Sequence, residues 1–318
     1  MTEPSYRLVD VGDRRLLTVD GREYSTRYSE RVIRMLIERK GARRAPPYFR
    51  FKETRGEHFL GPLFRYLHAR GATGLSVLEV GCSFGHITEY LAEQPAVKRI
   101  HCFDADPAFV SIVRTKVADM ELDKVREVTL LSQSETCRLP WADGTFDLVL
   151  AIGIVEHLPA RHRRVQVDEY YRMLAPRGLV AILDTPNRWF PHETHSVGLP
   201  LIQWLPPRVA FAYARTCRPR KFARESYESF TMDGTGWRNA SFRDCLPSSG
   251  RAGLEDLTEN AGYGWRFFRD TARSRTRRAL LPFFAAGVTL ARAAGLPPSL
   301  CLPYLNLLFR KAERQTVD

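Results

Sequence analysis

Val77-Leu78-Glu79-Val80-Gly81-Cys82-Ser83-Phe84-Gly85 is the stretch that decides the fold. Its first residues extend the apolar run Ser76–Val80, which has the length of a strand. Glycines then break the run, and a helical pattern follows near His86–Glu93. A strand that turns sharply into a helix leaves the first N–H groups of that helix without intrahelical partners. Such a helix end favours an anionic group. Gly81 has no side chain, so a ligand can approach the backbone there. Glu79, at the strand end, is placed to accept a hydrogen bond from a charged amine, directly or through water. Ser83 and Gly85 complete the turn. Taken alone, the segment also reads as an ordinary tight turn between strand and helix.

Outward from this turn the pattern alternates. Arg99–Phe103 reads as the next strand and Pro107–Asp119 as the next helix. Glu127–Leu131 reads as a third strand. Phe146–Ile152, entered through the Asp143-Gly144 turn, reads as a fourth. Arg163–Leu174 reads as a helix and Leu179–Asp184 as a fifth strand. Alternation of this kind predicts a parallel, doubly wound α/β sheet with helices on both faces. Upstream, residues 1–26 read as a polar lead-in poor in strand signal. Helices are predicted over 27–40 and 54–70, separated by the break at Ala45-Pro46-Pro47. Downstream, residues 187–220 are rich in Pro, Trp and His and read as an insertion over one sheet edge. Two further strands are expected within 225–270.

Two carboxylates extend the site. Asp104 closes the second strand in Ile100-His101-Cys102-Phe103-Asp104. An acidic residue roughly 20 positions after a glycine turn can take both hydroxyls of a ribose. Asp104 could instead cap the following helix, although Asp106 suits that task better. Glu135, in Ser134-Glu135-Thr136 after the third strand, can accept from an adenine amino group. Thr136 is assigned to the same site, and Leu139-Pro140-Trp141 supplies an apolar wall.

With these residues in order, the chain resembles the class I S-adenosylmethionine-dependent methyltransferase superfamily, in a branch similar to ubiquinone- and menaquinone-biosynthesis methyltransferases. The resemblance rests on LEVGCSFG (78–85), FDAD (103–106), LPWADGTFDLVLAIGIVEHL (139–158) and LAPRGLVAILDTPN (174–187). It implies a Rossmann-like seven-stranded sheet with one antiparallel strand. It also implies S-adenosyl-L-methionine as cofactor and S-adenosyl-L-homocysteine as product, with cofactor roles for Gly81, Asp104 and Glu135. Ser83 stands where the family more often has glycine. A nicotinamide-binding fingerprint would need glycines where this chain has Ser83 and His86, which argues against that class. The chain is expected to divide into an N-terminal helical extension (1–62), a cofactor-binding core (63–187), an insertion or acceptor lid (188–240), and the end of the core with an apolar, basic and helical C-terminal extension (241–318).

Methyl transfer to oxygen needs a positioned acceptor and a base. His157, in Glu156-His157 after the fourth strand, is read as the start of the next helix and as a candidate base. Some similar quinone-type enzymes hold a metal with Glu-x-x-Glu-His, but the first glutamate position here is Gly153, so no metal is expected. Thr185–His195 lies at the carboxyl end of the fifth strand, where open α/β sheets bind ligands. His192 and His195 are candidate bases there. Asn187, Trp189 and Glu193 are candidate acceptor contacts. All of them also read as residues of a solvated loop. The aromatic residues Trp189, Phe190, Trp204, Phe211 and Tyr213 suit either a lid or a small satellite core. A small-molecule or glycan hydroxyl is the expected acceptor. A protein that binds the nucleoside without turnover is the alternative, as is N- or C-methylation.

Composition narrows the partners. A net charge of +12 suits nucleic acid, an anionic membrane, an anionic substrate, or merely an arginine-using genome. No nucleic-acid motif accompanies it, and the base-methylation signature is absent after the fourth strand, where Gly153-Ile154-Val155-Glu156-His157 stands instead. Nucleic acid is therefore not expected. The six cysteines form no CxxC pair, and MTEPSYRLVD lacks the apolar stretch of a signal peptide, so a reducing cytoplasmic setting is the expectation. Arg273, Arg275, Arg277 and Arg278 precede nearly uncharged runs at 279–291 and 293–309. The favoured reading packs these runs on the sheet as helices that close the acceptor pocket. The competing one lays them on an anionic membrane surface.

Overall fold

A computed structural model describes residues 6–312. The first five residues of the lead-in and residues 313–318 of the carboxyl-terminal extension lie outside the described residues. The main sheet counts seven strands, and the chain divides into two compact units, Met1–Gln133 and Ser134–Asp318.

The first unit opens with a feature the sequence reading missed. Where a strand-poor lead-in was expected, β1 (Tyr6–Val11), β2 (Arg14–Val19) and β3 (Arg22–Thr26) form an antiparallel meander. Its second turn is Asp20-Gly21, both at positive φ (49° and 74°). That backbone matches the right-handed strand twist, and Asp-Gly is a strong signal for it. The N-terminal extension is therefore a sheet followed by helix, not a helical segment throughout. Helix α1 (Glu30–Lys40) starts at Ser29, whose hydroxyl accepts the Val32 N–H at 3.2 Å, and buries Val32, Ile33 and Leu36. These residues pack with Leu17, Val19, Phe49, Phe84 and Ile112 in one apolar cluster. Helix α2 (Glu57–His68) follows a wide turn at Lys52–Gly56.

The expected alternation then appears: β4 (Leu75–Val80), α3 (His86–Glu93), β5 (Val97–Asp104), α4 (Pro107–Asp119) and β6 (Val125–Leu130). Within this unit the strand order is β6-β5-β4, all parallel.

The second unit continues with β7 (Phe146–Ile152), α5 (Arg163–Arg172) and β8 (Leu174–Pro186). Helices α6 (Pro207–Cys217), α7 (Pro219–Phe222) and α8 (Tyr227–Thr231) follow, then β9 (Leu254–Asp256), α9 (Trp265–Asp270), α10 (Arg275–Ala279), α11 (Leu281–Ala293) and β10 (Tyr304–Lys311). The order is β7-β8-β10-β9. Strands β7 and β8 are parallel, and β10 runs antiparallel to both its neighbours. Strands β7 and β8 are apolar almost throughout because both faces are covered.

Two expectations need correction. Of the two strands sought within 225–270, only the three-residue β9 lies there. The other is β10, built from the apolar run read as helix. An apolar run without polar periodicity does not distinguish a buried strand from a buried helix. The insertion after β8 holds its own small core of Val197, Leu199, Ile202, Ala210, Ala214, Phe222, Phe230 and Trp237.

Candidate active site

In the first unit, β4 delivers the chain to a loop that alternates through left-handed backbone: Gly81 (φ 71°), Ser83 (47°) and Gly85 (74°). The Gly81 and Cys82 N–H groups both donate to the Phe103 carbonyl, at 2.9 and 3.0 Å, which folds the loop against the end of β5. The Ser83 N–H donates to Asp104 Oδ2 at 2.8 Å, and the Asp106 N–H to Oδ1 at 3.0 Å. A carboxylate oxygen accepts more than one hydrogen bond, so Asp104 retains acceptor capacity. Burial raises its pKa, against the backbone donors that lower it. Asp106 caps α4 through Ala108 N–H at 2.8 Å, which relieves Asp104 of that task.

Gly85 is the N-cap of α3 and offers no side-chain cap, so the first-turn N–H groups are left for a ligand. A Cβ at Gly85 would also sit 3.1 Å from Val113. Behind the loop, Glu79 is buried and accepts from the Thr88 hydroxyl at 2.6 Å. Burial, and then the nearby Asp104 and Glu89 carboxylates, push its pKa up to about 8 against the lowering bond from Thr88. A carboxyl held in that state gains from a cation. A helix end for an anion, a buried carboxyl for an ammonium, and Asp104 for a diol together fit an amino-acid nucleoside. One neighbouring network was not foreseen: Lys116 pairs with Glu89, and the Tyr28 hydroxyl donates to the same carboxylate at 3.0 Å. Glu135 and Thr136 belong to the second unit. Glu135 opens a single turn (Glu135–Cys137), and the Thr136 hydroxyl accepts from Gln166 Nε2 at 2.6 Å.

At the carboxyl end of β7, the single turn Val155–His157 presents Glu156 and His157. His157 does not start the next helix, as expected from sequence; α5 begins only at Arg163. His157 Nδ1 lies 2.7 Å from the Gly234 carbonyl. A carbonyl only accepts, so Nδ1 carries the proton and Nε2 a lone pair. That Nε2 faces His195 Nε2 at 3.1 Å, and Glu156 Oε1 stands 3.8 Å from it. Burial lowers the His157 pKa, partly offset by the Gly234 carbonyl; Arg163 lowers it further. Gly236 closes over both rings: a Cβ there would lie 3.1 Å from His157 Cε1 and 3.3 Å from His195 Cδ2. Glu156, His157 and His195 each offer one donor atom, all within 4.8 Å of one another. That composition suits a proton relay and also a divalent cation.

Sequence reasoning passed over Asp184. It sits near the end of β8 with φ 53°, a costly backbone for a residue other than glycine. Its Oδ2 and Glu156 Oε1 flank Gly153, at 4.0 and 3.7 Å from the position of a Cβ there. An aspartate ending a buried apolar strand was the available signal. Tyr304 of β10 joins the same end, its hydroxyl accepting from Thr194 Oγ1 at 3.0 Å.

Several expected contacts are committed elsewhere. Glu193 is fully buried and accepts the N–H groups of His195, Ser196, Val197 and Gly198 at 2.6–2.8 Å. Its carboxylate organises the loop that carries His195. Asn187 is also buried; its amide donates to the Leu300 and Leu302 carbonyls at 3.0 and 2.8 Å, and its oxygen accepts from the Trp189 N–H at 3.0 Å. It ties β8 to the chain before β10. His192 bridges to Pro200 and is not one of the clustered histidines, and Trp189 is 60% exposed.

Residues 77–178 match a family model described as a methyltransferase domain. The chain is 28% identical over 118 residues to a Haemophilus influenzae protein described as uncharacterized, covering 37% of this chain and 45% of that protein. It is 27% identical over 122 residues to a probable tRNA methyltransferase 9B of Mus musculus, covering 37% of this chain and 24% of that one. The match thus spans less than half the length of either curated relative. Among solved structures, a putative sarcosine dimethylglycine methyltransferase from Galdieria sulphuraria aligns at 16% identity and a TM-score of 0.45, over 90% of this chain and 91% of that one.

Proposed function

We propose that the chain is a class I S-adenosylmethionine-dependent methyltransferase, built around the methyltransferase domain at residues 77–178, and that it methylates a hydroxyl of a small polyol or glycan. The cofactor is S-adenosyl-L-methionine, which when bound supplies an electrophilic methyl group on a good leaving group and leaves as S-adenosyl-L-homocysteine. In the first unit, the uncapped start of α3 would take the cofactor's carboxylate, Glu79 would balance its ammonium, and Asp104 would accept from its ribose. The looped backbone at 81–85 lets it approach closely.

The observation that carries hydroxyl methylation is the His157–His195 contact beside Glu156. A hydroxyl loses its proton as its oxygen is alkylated, so a base must stand by. With Nδ1 of His157 held as a donor by Gly234, its Nε2 is the basic atom. Before reaction it accepts from His195 Nε2–H. When the hydroxyl displaces that bond, the proton moves to His157, and the resulting imidazolium lies beside the Glu156 carboxylate. Carboxylates at Glu156 and Asp184 suit an acceptor with several hydroxyls.

The test is turnover against a panel of sugars and polyols, read by mass shift, in His157→Ala and His195→Ala chains. Loss of a general base lowers the rate by about 10²–10⁴ and spares cofactor affinity. If both variants keep the parental rate, this pair is not the base. The 4.8 Å clustering favours one second reading, a divalent cation on the same three side chains. Under that reading, dialysis against a chelator abolishes turnover and zinc or magnesium restores it. Under the base reading the rate is unchanged.

A further inference from the structure

Helix α11 has two apolar faces, and only one is covered. Its inner face carries Val288 and Ala291, both buried, and Phe284, which stacks on Phe190 with ring centroids 5.8 Å apart and meets Phe268 at 4.6 Å. Its outer face presents Phe283, 75% exposed, and Leu290, 70% exposed, one above the other at a spacing of two turns. Leu280 before the helix and Leu296 after it are exposed as well. An isolated exposed leucine needs no explanation, but a row of large apolar side chains along one helix marks a contact surface.

The charge around the row says what meets it. No acidic residue occurs from Thr271 to Ala312, whereas Arg273, Arg275, Arg277, Arg278 and Arg292 all fall there. Arg273, Arg275 and Arg278 are exposed at the approach to the helix. Arg277 is drawn inward over the Phe268 ring at 4.2 Å, and Arg292 pairs with Glu259 at 3.4 Å. A second copy docking through this face about a two-fold axis would meet it with the same segment, which offers no carboxylate to pair with the arginines. No helix among the described residues is long and apolar enough to cross a membrane, and the thirteen residues of α11 span about 20 Å.

We propose that α11 and the arginines before it form a docking face for an anionic bilayer surface. Phe283 and Leu290 enter the boundary between headgroups and acyl chains, while Arg273, Arg275 and Arg278 meet lipid phosphates. This is the arrangement of a helix lying in the membrane plane. It places the chain beside acceptors that are themselves held at a membrane.

The test is sedimentation of the full chain with vesicles of phosphatidylglycerol and phosphatidylcholine, against vesicles of phosphatidylcholine alone. The chain pellets with the anionic vesicles, and pelleting falls as salt is raised from 0.05 to 0.5 M, where screening shortens. An arginine near an anionic leaflet contributes about fivefold in affinity, so Arg273→Ser, Arg275→Ser, Arg278→Ser together weaken binding about a hundredfold. Phe283→Asp with Leu290→Asp abolishes it. These side chains are exposed, and unchanged melting of both variants shows that the fold is retained. A chain that stays in the supernatant at 0.05 M salt overturns the proposal. So does equal binding to the neutral vesicles. A dimer in solution that the Phe283→Asp chain loses also overturns it, in favour of a second copy on this face.

Discussion

At the scale of single residues, Glu79 combines position with unfavourable surroundings. Its folded pKa of about 8 stands above the 4.5 of an ordinary glutamate. Below about pH 4.5 both folded and unfolded chains hold the proton, and the group contributes nothing to pH dependence. Between 4.5 and 8 the folded chain retains a proton that the unfolded chain releases. Stability from this site therefore falls as pH rises, by about 1.4 kcal/mol per unit, and levels off above 8. Glu79→Gln removes that slope and raises apo stability at pH 8 by about 4 kcal/mol, measured by urea titration across pH. The same change weakens S-adenosyl-L-homocysteine, because the ammonium loses its counter-charge. A variant more stable at pH 8 with undiminished affinity would separate Glu79 from the ligand. Ser83 offers a second residue-level test. Its φ of 47° is a conformation that glycine adopts without a Cβ penalty. Ser83→Gly is expected to stabilise by about 0.5–1 kcal/mol, less whatever the freer unfolded chain takes back. Thermal melting checks it.

At the scale of elements, two devices hold loops and helices where the site needs them. Glu193 gathers four backbone N–H groups of the 195–198 loop, the loop that carries His195. Glu193→Ala leaves those donors without their charged acceptor and is expected to cost about 2–3 kcal/mol, the scale of hydrogen bonds to a charged group. Turnover should fall with it while cofactor affinity holds, since the cradle lies in the first unit. In that first unit, buried Lys116 of α4 pairs with Glu89 of α3, and Tyr28 follows β3 onto the same carboxylate. Burial pulls the lysine pKa down while Glu89 holds it up. Lys116→Met strands a buried carboxylate and is expected to cost about 3–5 kcal/mol. Lys116→Met with Glu89→Leu recovers most of that, because an apolar pair replaces both desolvated charges. A double variant as unstable as the single would mean that packing, and not charge, fixes the three elements.

At the scale of the whole molecule, ligand linkage is the most general check. Under the proposed function S-adenosyl-L-homocysteine binds only the folded chain, so at a concentration a hundred times its Kd it adds about 2.7 kcal/mol. The melting temperature should climb with ligand concentration. Asp104→Ala, lacking the ribose acceptor, should lose about 1.5–3 kcal/mol of binding, and an unchanged calorimetric affinity would remove Asp104 from the cradle. What the sequence by itself determined is local. The turn at 81–85, the caps at Ser29 and Asp106, the boundaries of α3 and α4, and β7 all follow from residues within a few positions of one another. Periodicity, glycine placement and capping chemistry act over that range. The amino-terminal meander was legible in Asp20-Gly21 and in Leu16, Leu17 and Val19 before it, but the charges at Arg7, Asp10, Arg14, Arg15, Arg22 and Glu23 mask the apolar alternation of its strands. Tertiary structure alone decided the rest. The run at 304–311 becomes a strand because Leu305 and Leu307 pair with Thr185 and Ile182 of β8, a pairing more than a hundred residues away in sequence that no local pattern encodes. Glu193 and Asn187 look like ligand contacts in a list of polar residues, and become scaffold once buried donors and acceptors claim them. His157 and His195 lie in separate segments, and only the fold sets one imidazole 3.1 Å from the other. A side chain's chemistry is fixed by its covalent structure, but its partners are fixed by which distant segments are packed against it.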